Sequence, residues 1–155
     1  MTYYTTITSP IGDLLLASDG RALTDLHMAP FEVPSGWQRD ESRFEDVVAQ
    51  LTAYYTGSRK TFDVALNPTG TPFQRRVWEG LSAIPYGETV SYGELARRIG
   101  KPKAVRAVGR ANGANPIAVI IPCHRVIGAN GTLTGYGGGL DRKAKLLALE
   151  GVHVI

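Results

Sequence analysis

The chain of 155 residues contains one cysteine, Cys123. A lone thiol closes no internal disulfide and cannot supply a multi-cysteine zinc site. The fold must therefore rest on its core, which a chain of this length can bury unaided. Long apolar runs are missing too, so no segment is suited to span a bilayer. The N-terminal stretch MTYYTTITSPIG has neither the basic start nor the apolar centre of a secretory signal. These absences set the expectation of a cytoplasmic protein with no membrane partner, no metal and no cofactor. Internal repeats and low-complexity tracts are absent as well.

The net charge of +3 is small, but it is unevenly spread. Residues 1–70 carry five Lys/Arg and nine Asp/Glu, a net −4, whereas residues 71–155 carry twelve and five, a net +7. That asymmetry points to a C-terminal half able to meet a polyanion, with a merely solvated basic surface as the alternative.

Hydrophobic patterning divides the chain in the same place. Tyr3 to Thr8, Asp13 to Ala17 and Leu23 to Met28 read as short strands of an antiparallel sheet, separated by the turn residues Ser9-Pro10-Ile11-Gly12 and Asp19-Gly20. Pro30 to Gly36 reads as a loop. A capping box of Ser42 and Glu45 then opens a helix with Phe44, Val47, Val48, Leu51 and Tyr55 on one face. Phe62 to Leu66 fits a further strand, and Asn67-Pro68-Thr69-Gly70 a linker.

Beyond the linker the pattern is one of short helices. Thr71-Pro72-Phe73-Gln74 combines an N-cap, a first-turn proline and a box-closing glutamine. Ser91 with Glu94 opens a second helix that Gly100 ends, and Lys101-Pro102 leads into a third over about Lys103 to Asn112. Ile117 to Ile121 reads as a buried strand, Gly128 to Gly139 as a glycine-rich loop, and Asp141 to Glu150 as the last helix.

The second and third helices have helix-turn-helix proportions. From Leu95 to Asn112 stand Arg97, Arg98, Lys101, Lys103, Arg106 and Arg110, with no acid among them. Ala104, Ala107 and Gly109 are small enough to let the third helix lie close to another surface, whether DNA or a neighbouring helix. No aromatic ladder accompanies them, which disfavours a single-strand stacking platform.

Ile121-Pro122-Cys123-His124-Arg125-Val126 is where nucleophilic chemistry could reside. Taken alone, a cysteine after an apolar strand is a small buried hydrophobe. The adjacent His124 could accept its proton, and Arg125 would add a positive field favouring thiolate. These residues alone are also compatible with a cysteine hydrolase or a redox cysteine.

The stretch Pro122-Cys123-His124-Arg125-Val126, preceded by Asn115-Pro116, resembles the methylated-DNA–protein-cysteine methyltransferases, the O6-alkylguanine-DNA alkyltransferases. The similarity continues in Gly70-Thr71-Pro72-Phe73-Gln74, Val77-Trp78, Ile84-Pro85-Tyr86-Gly87-Glu88-Thr89, Ser91-Tyr92, Arg106-Ala107-Val108-Gly109, Gly135-Tyr136 and Leu146 to Gly151. It implies an α/β (α+β) fold: a small ribonuclease H-like sheet domain over 1–68 as scaffold, and a mainly helical domain with a winged helix-turn-helix over 69–155.

The implied activity is single-use transfer of an alkyl group from O6-alkylguanine, or O4-alkylthymine, in double-stranded DNA to Cys123. His124, through a water, would take the thiol proton, Glu150 would orient His124, and Tyr92 would donate to the departing base. Asn115 would tie the turn before the reactive cysteine. The base must be flipped out of the duplex, with Arg106 filling the gap and Lys103, Ala104, Ala107, Gly109 and Arg110 on the DNA face. Tyr136, Gly137, Gly138, Ala118, Asn112 and Arg125 would line the pocket. Gly137 stands where some members have a serine, Ala118 where some have a proline and Asn112 where some have a methionine. The zinc site of some members cannot form here. Cys123 itself argues against a non-catalytic lesion sensor of the same fold, the main alternative. A monomer is expected in solution, with cooperative binding on DNA left open.

Overall fold

The computed structural model describes residues 1–133, 136 and 139–153. It divides into two compact units, one of Met1–Thr69 with Pro116–Ala118 and one of Gly70–Asn115 with the chain from Val119 onward. Among the described residues, no helix is long and apolar enough to cross a membrane.

In the first unit, strands β1 (Tyr3–Ile7), β2 (Leu14–Ser18) and β3 (Leu23–Met28) form an antiparallel meander. A short strand β4 (Gln38–Arg39) adds to β1 in parallel, giving the order β3-β2-β1-β4 and making the sheet mixed. The central strand β2 is buried at every position, which is why its sequence LLLAS shows no polar alternation. Helix α1 (Glu45–Tyr55) contributes Val47, Leu51 and Tyr54 to the core.

Two expectations for this unit are corrected. The Ser42–Glu45 capping box does not form, because Asp40 caps a 3-10 turn over Glu41–Phe44 and accepts from both the Ser42 amide and hydroxyl. Asp40 stands two residues earlier and its carboxylate, which also pairs with Arg43, takes the capping position. Phe62 to Leu66 is not a strand either, and only Leu66 bridges Leu23. The segment is held at Asp63 by a reciprocal pair with the Gln50 side chain (3.0 and 2.8 Å) and at Ala65 and Asn67 by the backbone of Leu23. Those different partners stop a continuous ladder.

The second unit is helical: α2 (Pro72–Ser82), α3 (Tyr92–Arg98), α4 (Val105–Gly113) and α5 (Leu140–Leu149). The capping box of Thr71 and Gln74 is present in both directions, and Ser91 caps α3 by accepting from the Glu94 amide. Gly100 takes the left-handed conformation after α3 (φ 76°), as a helix-ending glycine does. Gly80 is where α2 and α3 meet, since a Cβ there would stand 2.7 Å from Ile99. A two-residue parallel ladder joins β5 (Val90–Ser91) to β6 (Val126–Ile127).

The expected strand Ile117 to Ile121 is absent. These residues are apolar and, except Ala118, buried, but Ile117 makes a single bridge to Leu26 and the chain then turns. Val119 adopts φ 71°, a strained choice for a β-branched residue. The Asn115 side chain holds the turn closed, donating to the Ile121 carbonyl at 2.8 Å.

Candidate active site

Cys123 lies immediately after this strained turn. Pro122 is the centre of an inverse γ-turn, in which the Cys123 amide donates to the Ile121 carbonyl at 2.8 Å. Cys123–Arg125 then form one turn of 3-10 helix, which sends successive side chains about 120° apart. The β5–β6 pairing sets Val126 beside Val90, one residue past that turn and two residues before Tyr92. Sequence-distant Tyr92 and Cys123 are thus anchored to the same ladder.

Charge at the site is buried and paired. His124 has no exposed surface, and its Nε2 lies 2.7 Å from Glu150 Oε2. Arg125 donates to the same carboxylate from Nε (2.9 Å) and Nη2 (3.0 Å), and to the Ile84 carbonyl from Nη1 (2.7 Å). The Gly87 amide completes the set at 3.1 Å from Glu150 Oε1. Glu150 caps the C-terminal end of α5, and Tyr86 Oη ties that end by donating to the Leu149 carbonyl.

This geometry fixes the histidine's proton. Burial keeps the His124 imidazole below its ordinary pKa, against the pull of Glu150, so the ring is neutral. With the carboxylate accepting at Nε2, that nitrogen carries the hydrogen. Nδ1 is left with its lone pair, buried and without a hydrogen-bond partner among the described residues.

The thiol departs from expectation. Rather than an electropositive setting lowering its pKa, burial pushes the Cys123 thiol up. The Asn115 and Tyr136 side chains beside the sulfur and the positive charge of Lys143 oppose that rise without overcoming it. Arg125, expected to supply the field and line the pocket, instead spends its guanidinium on Glu150 and Ile84. The source of positive potential is Lys143, a fully buried lysine of α5 whose pKa desolvation lowers to about 8. The sequence reading did not single it out. Its place three residues before Leu146 puts it on the buried stripe, and that spacing was the available signal.

The other expected residues fall into groups. Tyr92 begins α3, half-buried, and its ring lies 3.8 Å from where a Cβ on Gly109 would stand. On α4 and the turn before it, Lys103, Arg106 and Arg110 are exposed and Ala104, Ala107 and Gly109 half-buried. Lys103, Arg106 and Arg110 make no ion pair among the described residues, while Arg97 is 3.4 Å from Glu94. Asn112 is buried at the end of α4. Ala118 packs with the first unit, where its amide donates to the Leu26 carbonyl at 3.1 Å. Gly137 and Gly138 lie outside the described residues. The first unit has a cavity of about 330 Å³ bordered by Arg21, Arg43, Asp46 and Asp63, but no nucleophile–base pair lines it.

Two family models cover nearly all of this chain. Residues 2–68 match the ribonuclease-like domain of 6-O-methylguanine DNA methyltransferase, and residues 72–152 match its DNA-binding domain. The chain belongs to the methylated-DNA–protein-cysteine methyltransferase family. A family member from Methanosarcina acetivorans is 55% identical over 153 residues, covering 96% of this chain and 98% of its own. One from Mycobacterium tuberculosis is 58% identical over 154 residues, covering 97% and 93%. Among solved structures, Mycobacterium tuberculosis OGT in complex with DNA superposes with a TM-score of 0.92 at 57% identity, covering 96% of this chain and 92% of that one.

Proposed function

We propose that this methyltransferase repairs double-stranded DNA by moving the alkyl group of O6-alkylguanine onto its own Cys123, once per molecule. One observation carries the reading. A thiol that burial keeps protonated stands next to a neutral histidine whose Nδ1 is free and whose Nε2 hydrogen is locked to Glu150. A buried thiol can attack only if a base removes its proton, and the open Nδ1 of His124, the next residue in the chain, supports assigning it that role.

In the proposed reaction His124 takes the Cys123 proton, relayed through a water molecule, and Glu150 stabilises the resulting imidazolium. The sulfur displaces oxygen at the alkyl carbon. The carbon–sulfur bond forms as the carbon–oxygen bond breaks, and the electron pair leaves on the guanine. Tyr92 donates a hydrogen bond or proton to that departing base. Asn115 and Tyr136 orient the sulfur. Lys143 offsets its charge. The thioether product has no leaving group good enough to regenerate the thiol, so the molecule is consumed.

The exposed cations Lys103, Arg106 and Arg110 suit phosphate contact, and the small Ala104, Ala107 and Gly109 permit close approach of α4 to a duplex. Because the target atom is inaccessible within a stacked helix, the base is flipped at a cost of about a few kcal/mol. Arg106 fills the space it leaves. In this reading residues 69–155, with α3 and α4 as a winged helix-turn-helix, do the work and residues 1–68 are scaffold. The protein acts as a cytoplasmic monomer.

Incubation with a duplex bearing one O6-methylguanine, followed by proteolysis and mass spectrometry, tests the assignment. One methyl group should appear on the peptide containing Cys123. A methyl group on any other peptide, or an unmodified protein, contradicts it.

A further inference from the structure

The proposed reaction gives no part to Arg125, a cation whose side chain is 8% exposed. A buried ion pair is weak evidence of a stabilising device, since well-packed apolar side chains of similar volume often serve stability as well. The contacts of Arg125 point to another use. Nε and Nη2 take the two oxygens of Glu150 separately, at 2.9 Å to Oε1 and 3.0 Å to Oε2, a fork that fixes the plane of the carboxylate. Oε2 is also the oxygen that meets His124 Nε2 at 2.7 Å. Nη1 anchors the guanidinium itself, donating to the Ile84 carbonyl at 2.7 Å.

Ile84 opens a turn that closes around the same pair. The Gly87 amide donates to Glu150 Oε1 at 3.1 Å, and the Tyr86 ring centre lies 5.8 Å from the guanidinium carbon. Gly87 takes φ 79°, and a Cβ there would stand 3.3 Å from the Glu150 carbonyl oxygen. The carboxylate is thus gripped from two sides and has no freedom to rotate away from His124.

We propose that Arg125 is a positioning residue for alkyl transfer, holding the Glu150 carboxylate in the plane that meets His124 Nε2. The inference rests on the alkyl-transfer reading. Arg125 also limits the pull of Glu150 on the ring. The charges that reach the imidazole are Glu150 and Lys143 from the α5 end and Arg125 from its own turn. Glu150 favours the imidazolium, whereas Arg125 and Lys143 oppose it. Without Arg125, Glu150 draws a proton onto His124 at a higher pH, and a protonated ring accepts nothing from Cys123.

The test follows two quantities against pH in the wild type, Arg125→Met and Arg125→Lys. One is the His124 ring titration, by NMR of the DNA-free protein. The other is single-turnover methyl transfer at saturating duplex. In Arg125→Met the His124 titration and the acid limb of the rate should both move up by about one pH unit. Arg125→Lys keeps a cation but has one ammonium for three acceptors. Its titration should stay near that of the wild type, while its plateau rate falls about tenfold through lost orientation. A lower rate at every pH in Arg125→Met, with the His124 titration and acid limb unmoved, assigns Arg125 to stability alone and overturns the proposal. Should Arg125→Met not fold, Arg125→Met combined with Glu150→Gln removes both charges of the pair. Transfer at the wild-type rate by that double variant, or by Arg125→Lys, also overturns the proposal. Absence of transfer by the wild type itself overturns the underlying reading instead.

Discussion

The Cys123–Arg125 turn and the α3–α4 surface are both rich in cationic or ionisable groups, yet they treat charge in opposite ways. In the turn every group is buried, and His124 Nε2 and the Arg125 guanidinium are paired, while His124 Nδ1 keeps its lone pair. One carboxylate, Glu150, receives His124, Arg125 and the Gly87 amide, and no ligand is needed to satisfy it. On α4 and the turn before it, Lys103, Arg106 and Arg110 are exposed and make no ion pair among the described residues. Buried charge is costly to leave unpaired, so the Glu150 carboxylate and the Arg125 guanidinium hold each other and fix His124 beside them. Exposed cations keep their hydration and remain available to phosphate. On the proposed function, the reaction belongs to the pre-paired region and the binding to the unpaired one.

The sharpest way to separate the two regions is Cys123→Ala. Methyl transfer should vanish, while duplex affinity and its salt dependence stay as in the wild type. Loss of affinity alongside transfer, measured by titration at several salt concentrations, would break the division.

Next in size is Glu150→Gln. It leaves the Arg125 guanidinium buried without its carboxylate and removes the fixed Nε2–H acceptor of His124. Stability should fall by about 3–5 kcal/mol in denaturant melts. The transfer rate should fall on the order of a hundredfold or more under conditions where the variant is folded. An unchanged rate would remove His124 and Glu150 from the reaction.

Smaller effects belong to the outer surface. Lys103→Ala and Arg110→Ala should each lower the slope of log affinity against log salt by about one, uniformly across sequences, without altering transfer at saturating DNA. A change in the saturated rate would mean that these side chains reach the chemistry.

The smallest effect is in the pH dependence of stability. His124 is held below its ordinary value of 6.5 by burial, so the unfolded chain binds its proton at a pH where the folded chain does not. The stabilisation is present above about 6.5 and is lost as the pH falls below it. Melting temperatures measured across mildly acidic pH should show this loss, and His124→Asn should reduce it. Lys143, lowered to about 8, works in the same sense at alkaline pH. Between about 8 and its ordinary 10.5 the unfolded chain holds the extra proton, so this group adds stability as the pH rises.

Much of this was legible from local chemistry. Thr71-Pro72-Phe73-Gln74, Ser91 with Glu94, and Gly100 each specify their helix ends through contacts within four residues, and each forms as read. The first three strands of the sheet are bounded by turn residues and lie within a residue or so of the expected spans, whereas the two-residue β4 was not expected. What was not legible depends on distant partners. Ile117 to Ile121 has the composition of a strand, but Asn115 folds back on Ile121 and Val119 is forced into a left-handed conformation. Arg125 looked like a source of field for its neighbour Cys123, but its guanidinium is held by Glu150 and the Ile84 carbonyl. The true electrostatic neighbour, Lys143, lies twenty residues along the chain. The raised thiol pKa could not have been read from adjacent charges, because its largest cause is burial.

The central claim is that Cys123 is an acceptor used once. Counting methyl groups transferred per protein molecule, with methylated duplex in large excess and over a long incubation, tests it most directly. The amount should rise to one methyl per molecule and stop there, whatever the excess of DNA. A yield that continues to climb past one would show that the thiol is regenerated and would contradict the account.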